Sequence, residues 1–208
     1  MLYSMNLRIS DRNAVVIGGG KVAHRKVLGL LDAGAKVKVV SPDLTSELMG
    51  LAEAGEISWQ PEQYTKKVLE GAFLVIAATN DSETNLQVKK DALPHQLVNL
   101  ADNPEESDFQ VPSVIKRGKL TIAVSTSGAS PVLAKKICTQ MEQMFDEQYE
   151  SYLEFLAASR KEIKVSVKDE AIKRRLLRTI ADESFMKDPD RKQRFARLLE
   201  EAISEEGR

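Results

Sequence analysis

The segment VVIGGGKVAHRK, residues 15–26, sets an apolar run, a glycine cluster and a helix-forming stretch in immediate succession. Within it, Gly18-x-Gly20-x-x-Ala23 has the spacing of a phosphate cradle. The first glycine makes a tight turn, the second lets main chain approach a pyrophosphate, and the small third residue lets helix pack on strand. Lys21 and Val22 open the helix, whose unpaired N–H groups and positive dipole end would face the phosphates. Glycines at a strand-to-helix turn can also serve positive φ angles alone, so the neighbouring elements decide. A helical pattern of Val22, Leu28, Leu30 and Leu31 closes at Gly34, and an extended run Val37–Val40 follows. Asp43 comes 25 residues after Gly18, separated from that run by Pro42, where an acid would hold a ribose. An acid there repels a 2′-phosphate, which favours NAD over NADP. Lys36 and Lys38 oppose this only if they face the ribose, and strand alternation leaves that open.

Three further groups have chemical potential. Thr79 and Asn80 end the apolar run Phe73–Ala77 and would face the crevice of the glycine loop, while Asp81 and Ser82 suit helix capping. Asp102 follows the run Leu97–Leu100 and would project from the same edge. Ser125 and Thr126 lie in a polar loop that runs through Gly128 to Ser130, with Pro131 at the first helical position; it offers hydroxyls and N–H groups to an anion.

The elements that would position these groups form an α/β pattern. Extended runs at 14–17, 37–40, 57–59, 73–77 and 97–100 alternate with helical stretches at 21–33, 44–54, 66–70 and 82–93. This predicts a Rossmann-like, doubly wound parallel sheet. The continuous apolar run at 73–77 reads as a central strand covered on both faces. Residues 108–128 then read as a strand pair joined by a turn at 116–119, with Pro112 at an edge, and the chain from Pro131 onward as helical. The predicted organisation is an NAD-binding domain over 1–112, a strand pair and helix for dimerisation over 113–145, and a helical C-terminal domain over 146–208. Apolar stripes Tyr149, Tyr152, Leu153, Phe155, Leu156 and Phe195, Leu198, Leu199, Ile203 need a partner surface, for which a homodimer is one source.

Composition narrows the class. Thirty Lys and Arg against 31 Asp and Glu give a net charge of −1, which argues against broad nucleic-acid binding. The basic run Lys173-Arg174-Arg175 with Arg178 reads as a solvated helical face. No run is apolar for long enough to span a bilayer and the start shows no signal-peptide pattern, so a cytoplasmic protein free of membrane is expected. The only cysteine, Cys138, reads as a small buried hydrophobe, and His24 and His95 make no prebuilt metal site.

The stretches GGGKVAHRK at 18–26, AATND at 77–81, NLADNPEESDFQVPS at 99–113 and AVSTSGASPVLA at 123–134 closely resemble the precorrin-2 dehydrogenase family, including the N-terminal part of sirohaem synthases. The resemblance covers most of residues 1–150. It implies NAD-dependent oxidation of precorrin-2, a carboxylate-rich reduced tetrapyrrole, to sirohydrochlorin. In some relatives it also implies insertion of ferrous iron as a second substrate. Asp102 matches the family's catalytic aspartate and would accept a proton as general base; Glu105 and Asp108 are rivals on its loop. Ser125 and Thr126 are expected at the substrate. Some relatives carry a phosphorylatable serine where this chain has Thr126, a departure that weakens the case for such regulation here. Lys116, Arg117, Lys119, Lys135, Lys136 and Arg25 offer, collectively, cations for the substrate's carboxylates. The rival class is a non-catalytic NAD-sensing module, which would share the glycine loop but has no chemical use for Asp102 or the serine-rich loop.

Overall fold

A computed structural model describes residues 2–206. The chain divides between Val111 and Pro112 into two compact units. The first is a five-stranded parallel sheet in the order β3-β2-β1-β4-β5, built from β1 (Asn13–Ile17), β2 (Lys36–Val40), β3 (Ile57–Gln60), β4 (Leu74–Ala77) and β5 (Leu97–Leu100). Helices α1 (Lys21–Asp32), α2 (Ser46–Glu53) and α3 (Ser82–Asp91) connect these strands. The stretch expected as a helix at 66–70 is a single 3-10 turn, Lys66–Leu69, too short to develop an α-helical ladder.

Alternation along the strands sorts the core onto two faces. Ala14, Val16, Leu74 and Ile76 pack with Ala23, Val27, Leu30 and Leu48, while Val15, Ile17, Val75 and Ala77 pack with Val68, Leu69 and Val88. The continuous apolar β4 is thus buried on both sides, and its predicted central place is where it lies. The buried stripe of α1 is Ala23, Val27 and Leu30; Val22 and Leu28, expected in that stripe, are exposed. The i, i+4, i+7 spacing from Ala23 follows the helical period more closely than the spacing from Val22.

Strand β5 ends the sheet, and its outward amides are met by the loop that follows. Val98 N donates to Asp108 Oδ2 at 2.9 Å, Leu100 N donates to Ser107 Oγ at 2.8 Å, and Asp108 N donates to Val98 O at 2.8 Å. Side chains here stand in for a sixth strand and protect an edge that would otherwise be open.

The second unit holds an antiparallel pair, β6 (Ser113–Arg117) and β7 (Leu120–Val124), followed by α4 (Pro131–Met144), α5 (Gln148–Ser166), α6 (Glu170–Ile180), α7 (Glu183–Met186) and α8 (Arg191–Glu206). Helix α4 packs on the strand pair and buries Ala134 and Cys138. Most of the two apolar tail stripes bury against each other: Tyr152, Phe155, Phe195 and Leu199 share one core with Ile163, Leu176, Ile180 and Phe185, while Ile203 stays exposed. A second subunit is therefore not needed to cover these core residues. Among the described residues, no helix is long and apolar enough to cross a membrane.

Candidate functional site

The strand order reverses direction between β1 and β4, and a cleft of about 600 Å³ opens there at the carboxyl ends of the strands. Gly18, Gly19 and Gly20 follow β1, Ser41–Thr45 follow β2, Glu62–Tyr64 follow β3, and Ala78–Asp81 follow β4; all line it. The loops are fastened to one another through the main chain. Gly18 N donates to Val40 O at 2.9 Å and Thr45 N to Gly19 O at 2.9 Å.

Each glycine of the loop answers a different demand. Gly18 has φ +115° and a Cβ there would lie 2.4 Å from Ala78 O. A Cβ on Gly19 would lie 1.9 Å from Asp43 O, so this glycine, outside the predicted set, lets the β2 loop close on the cradle. Gly20 is the N-cap of α1 at φ −89°, ψ −175°, and a Cβ there would meet no protein atom within 4 Å. Nothing in the protein requires a glycine at that position. An occupant of the cleft pressed against the main chain would require one, so the cradle fits a pyrophosphate. Ala23 is fully buried, as the close helix-on-strand packing demands.

Of the other residues expected at the cofactor, Pro42, Asp43, Thr79 and Asn80 line the cleft. Lys21 and Val22 sit exposed in the first turn of α1, outside the lining, where their main-chain N–H groups lack intrahelical acceptors. Among the described residues, no Lys or Arg lines the cleft, leaving N–H groups and the α1 dipole to meet an anion. Lys36 begins β2, at the end of the strand opposite the cleft, and pairs with Asp11 at 3.8 Å. Lys38 is also absent from the lining, so neither lysine opposes the acid at 43. The Thr79 hydroxyl is engaged internally: its one proton is within reach of Asn85 Oδ1 at 2.8 Å and Asp81 O at 2.9 Å, and its oxygen accepts from Asp81 N at 3.1 Å.

Asp102 lies beyond β5 in the loop beside β4, where Ala101 N donates to Ala77 O at 2.9 Å. It is not part of the cleft lining. Its Oδ2 accepts a hydrogen bond from Ser82 Oγ at 2.6 Å. Burial pushes the carboxyl up, but hydrogen bonds from Ser82, Asn85 and its own amide outweigh that and hold it below the ordinary aspartate value. Asp102 is therefore anionic at neutral pH. The expected capping role of Ser82 needs correction: Asp81 is the N-cap of α3, accepting from Glu83 N and the Thr84 hydroxyl, and the Ser82 hydroxyl reaches Asp102 instead. Ser82 and Asn85 escaped the sequence reading because a serine after an Asx cap and a polar residue one turn into a helix look like ordinary surface. The rival acid Asp108 is occupied structurally by Lys89 and Val98 N.

In the second unit, Ser125 Oγ accepts from Ser127 N at 3.1 Å and Thr126 Oγ1 accepts from Ser130 N at 3.0 Å. Ala129 N also turns inward, to Thr126 O at 2.9 Å. The loop thus offers fewer N–H groups than expected. A hydroxyl that accepts from main chain still has its own proton to donate.

The fold and the glycine cradle define a dinucleotide-binding protein of the Rossmann type. Residues 5–113 match the family described as "Putative NAD(P)-binding", residues 117–144 the sirohaem biosynthesis protein central family, and residues 149–195 the SirC C-terminal domain family. The chain belongs to the precorrin-2 dehydrogenase family: it is 31% identical over 199 residues to a precorrin-2 dehydrogenase of Priestia megaterium, covering 96% of this chain and 98% of that protein. A solved structure of SirC, precorrin-2 dehydrogenase, superposes with a TM-score of 0.83 at 31% identity over 96% of this chain and 100% of that one. A siroheme synthase of Chromobacterium violaceum is 37% identical over 181 residues, 86% of this chain; the match spans 38% of that longer protein.

Proposed function

We propose that this protein oxidises precorrin-2 to sirohydrochlorin in sirohaem biosynthesis, with NAD as the oxidant. The reading is carried by one combination: a cradle whose Gly20 serves only an occupant, and an anionic Asp102 held on the adjoining loop. Bound NAD supplies the hydride acceptor, so two electrons and one hydrogen leave the macrocycle together. The second hydrogen leaves as a proton, which the Asp102 carboxylate accepts as general base. A carboxyl held below its ordinary value is a weak base, so its contribution comes from placement and from being ionised at neutral pH. Gly18, Gly20, Lys21 and Val22 would hold the pyrophosphate through main chain, and Pro42 and Asp43 the adenosine ribose, with the Asp43 carboxylate disfavouring a 2′-phosphate. Thr79 and Asn80 would border the nicotinamide half. Ser125 and Thr126 would donate their hydroxyl protons to substrate carboxylates.

We place the protein in the cytoplasm, whose reducing conditions suit a single buried thiol, and propose that it works as a homodimer through residues 113–145. Val114, Val132 and Leu133 are exposed on and beside the two-stranded sheet there, an apolar surface that a second copy would cover. Sedimentation equilibrium of the wild type and Val132→Glu tests this, with a dimer expected for the first and a monomer for the second.

The catalytic reading is tested by anaerobic turnover of precorrin-2 with wild type and Asp102→Asn. Loss of about 100- to 10,000-fold in kcat is expected on removing a general base, with dinucleotide binding retained. Binding of NAD without any turnover of precorrin-2 by wild type would favour the sensing module. Repeating the assay with ferrous iron as substrate tests metal insertion.

A further inference from the structure

Asp102 sits on a loop, yet the side chains that hold it come from α3. Ser82 Oγ donates to Oδ2 at 2.6 Å, and Asn85 lies one turn further along the same helix. Asn85 is fully buried. The same amide clasps the loop after β4: its Oδ1 accepts from Thr79 N at 3.2 Å and from Thr79 Oγ1 at 2.8 Å, and its Nδ2 donates to Thr79 O at 3.3 Å. Thr79 lines the dinucleotide cleft. One helical turn therefore touches both the cofactor-side loop and the acid.

A buried amide is costly unless satisfied, and here the loop after β4 satisfies it. A carboxylate on a loop would otherwise rotate freely in water. Hydrogen bonds from a helix restrict it, and sites held by regular elements keep their geometry better than sites left to loops. We propose that Ser82 is a positioning residue for proton transfer: it fixes the Asp102 carboxylate from α3, and Asn85, one turn along, ties that same helix to the loop that borders the cofactor. This inference rests on reading Asp102 as the base. The groups acting on its carboxylate are the two uncharged side chains and its own amide. The neighbouring acid on α3, Asp81, is turned to Glu83 N and Thr84.

The test compares wild type, Ser82→Ala, Ser82→Thr and Asp102→Ala in the full chain, measuring NAD affinity, kcat and KM for precorrin-2, and the pH profile. Ser82 is exposed, so its truncation leaves the fold intact. Ser82→Ala should keep NAD affinity and KM while kcat falls about 10-fold, the worth of one hydrogen bond to a charged group. Its acid limb should move to higher pH, because the anion loses a donor. Ser82→Thr, which keeps the hydroxyl, should restore both. An unchanged kcat and acid limb in Ser82→Ala, beside an inactive Asp102→Ala, would overturn the positioning role alone. Full turnover by Asp102→Ala would overturn the base itself. Carbon NMR titration of the Asp102 carboxyl gives a readout independent of activity: its midpoint should rise in Ser82→Ala, and an unmoved midpoint would refute the contact.

Discussion

Gly20→Ala separates the demands of the fold from those of the ligand. The backbone at Gly20, φ −89° and ψ −175°, is open to any L-residue, and an added Cβ meets no protein atom within 4 Å. Two small terms oppose each other in the free protein. Alanine is a poorer N-cap than glycine by about 1 kcal/mol, and the loss of unfolded-state freedom returns about 0.4–1 kcal/mol. The net change is below about 1 kcal/mol, equivalent to a melting shift of less than about 4 °C for a chain of this size. In the complex, by contrast, the methyl group stands where main chain should approach the pyrophosphate. Losing one hydrogen bond to a charged group costs about 1.5–3 kcal/mol, which raises Kd for NAD by about 10- to 150-fold. Calorimetric titration with NAD and thermal unfolding of the same preparation measure both quantities. Unchanged NAD affinity in a folded Gly20→Ala protein would refute the assignment of the cradle, and a large loss of stability would refute the argument that Gly20 serves only the ligand.

Gly19→Ala should behave oppositely: with 1.9 Å between its Cβ and Asp43 O, the β2 loop must move, and thermal unfolding should show the variant clearly destabilised even without ligand. Asp43→Ala should narrow the preference for NAD over NADP, read as the ratio of kcat/KM values; an unaltered ratio would remove Asp43 from ribose recognition. Phe155→Ala, which opens the core shared by Tyr152, Phe185 and Phe195, should cost about 3–5 kcal/mol in urea unfolding followed by a probe in the helical unit. Asp169 caps α6 by accepting from Ala171 N and Ile172 N, and these bonds hold its carboxyl below the ordinary value. A depressed folded value means that its stabilisation is complete above the unfolded value of about 4 and fades as pH falls through the folded one. The urea midpoint of Asp169→Asn should therefore approach that of wild type as pH drops from 5 toward 2.

The parallel sheet was legible because apolar stretches such as Leu74–Ala77 end in turn signals and crossover helices such as α1 repeat at the helical period, although the crossover before β4 shortened to a 3-10 turn. Where the sequence misled, a local pattern was overruled by packing. Val22 looks like part of the α1 stripe but faces outward, because Ala23 is the residue small enough to meet the strand. The tail stripes looked like an interface, yet they close on one another once α5, α6 and α8 fold together. In the site, Gly18 and Gly20 announce themselves by spacing, whereas Gly19 is explained only by the approach of Asp43 O from a loop 24 residues later. Ser82 and Asn85 carry no signal of their own, since their meaning depends on Asp102 arriving from another strand. Spacing along one chain segment reports local turns; contacts between strand ends need the sheet order.

The most direct test is anaerobic absorbance of the purified protein with precorrin-2 and NAD, following NADH and sirohydrochlorin together. The account predicts that both appear in equal amounts and that Asp102→Asn forms both about 100- to 10,000-fold more slowly while still binding NAD. Tight NAD binding by the wild type with neither product formed would contradict it.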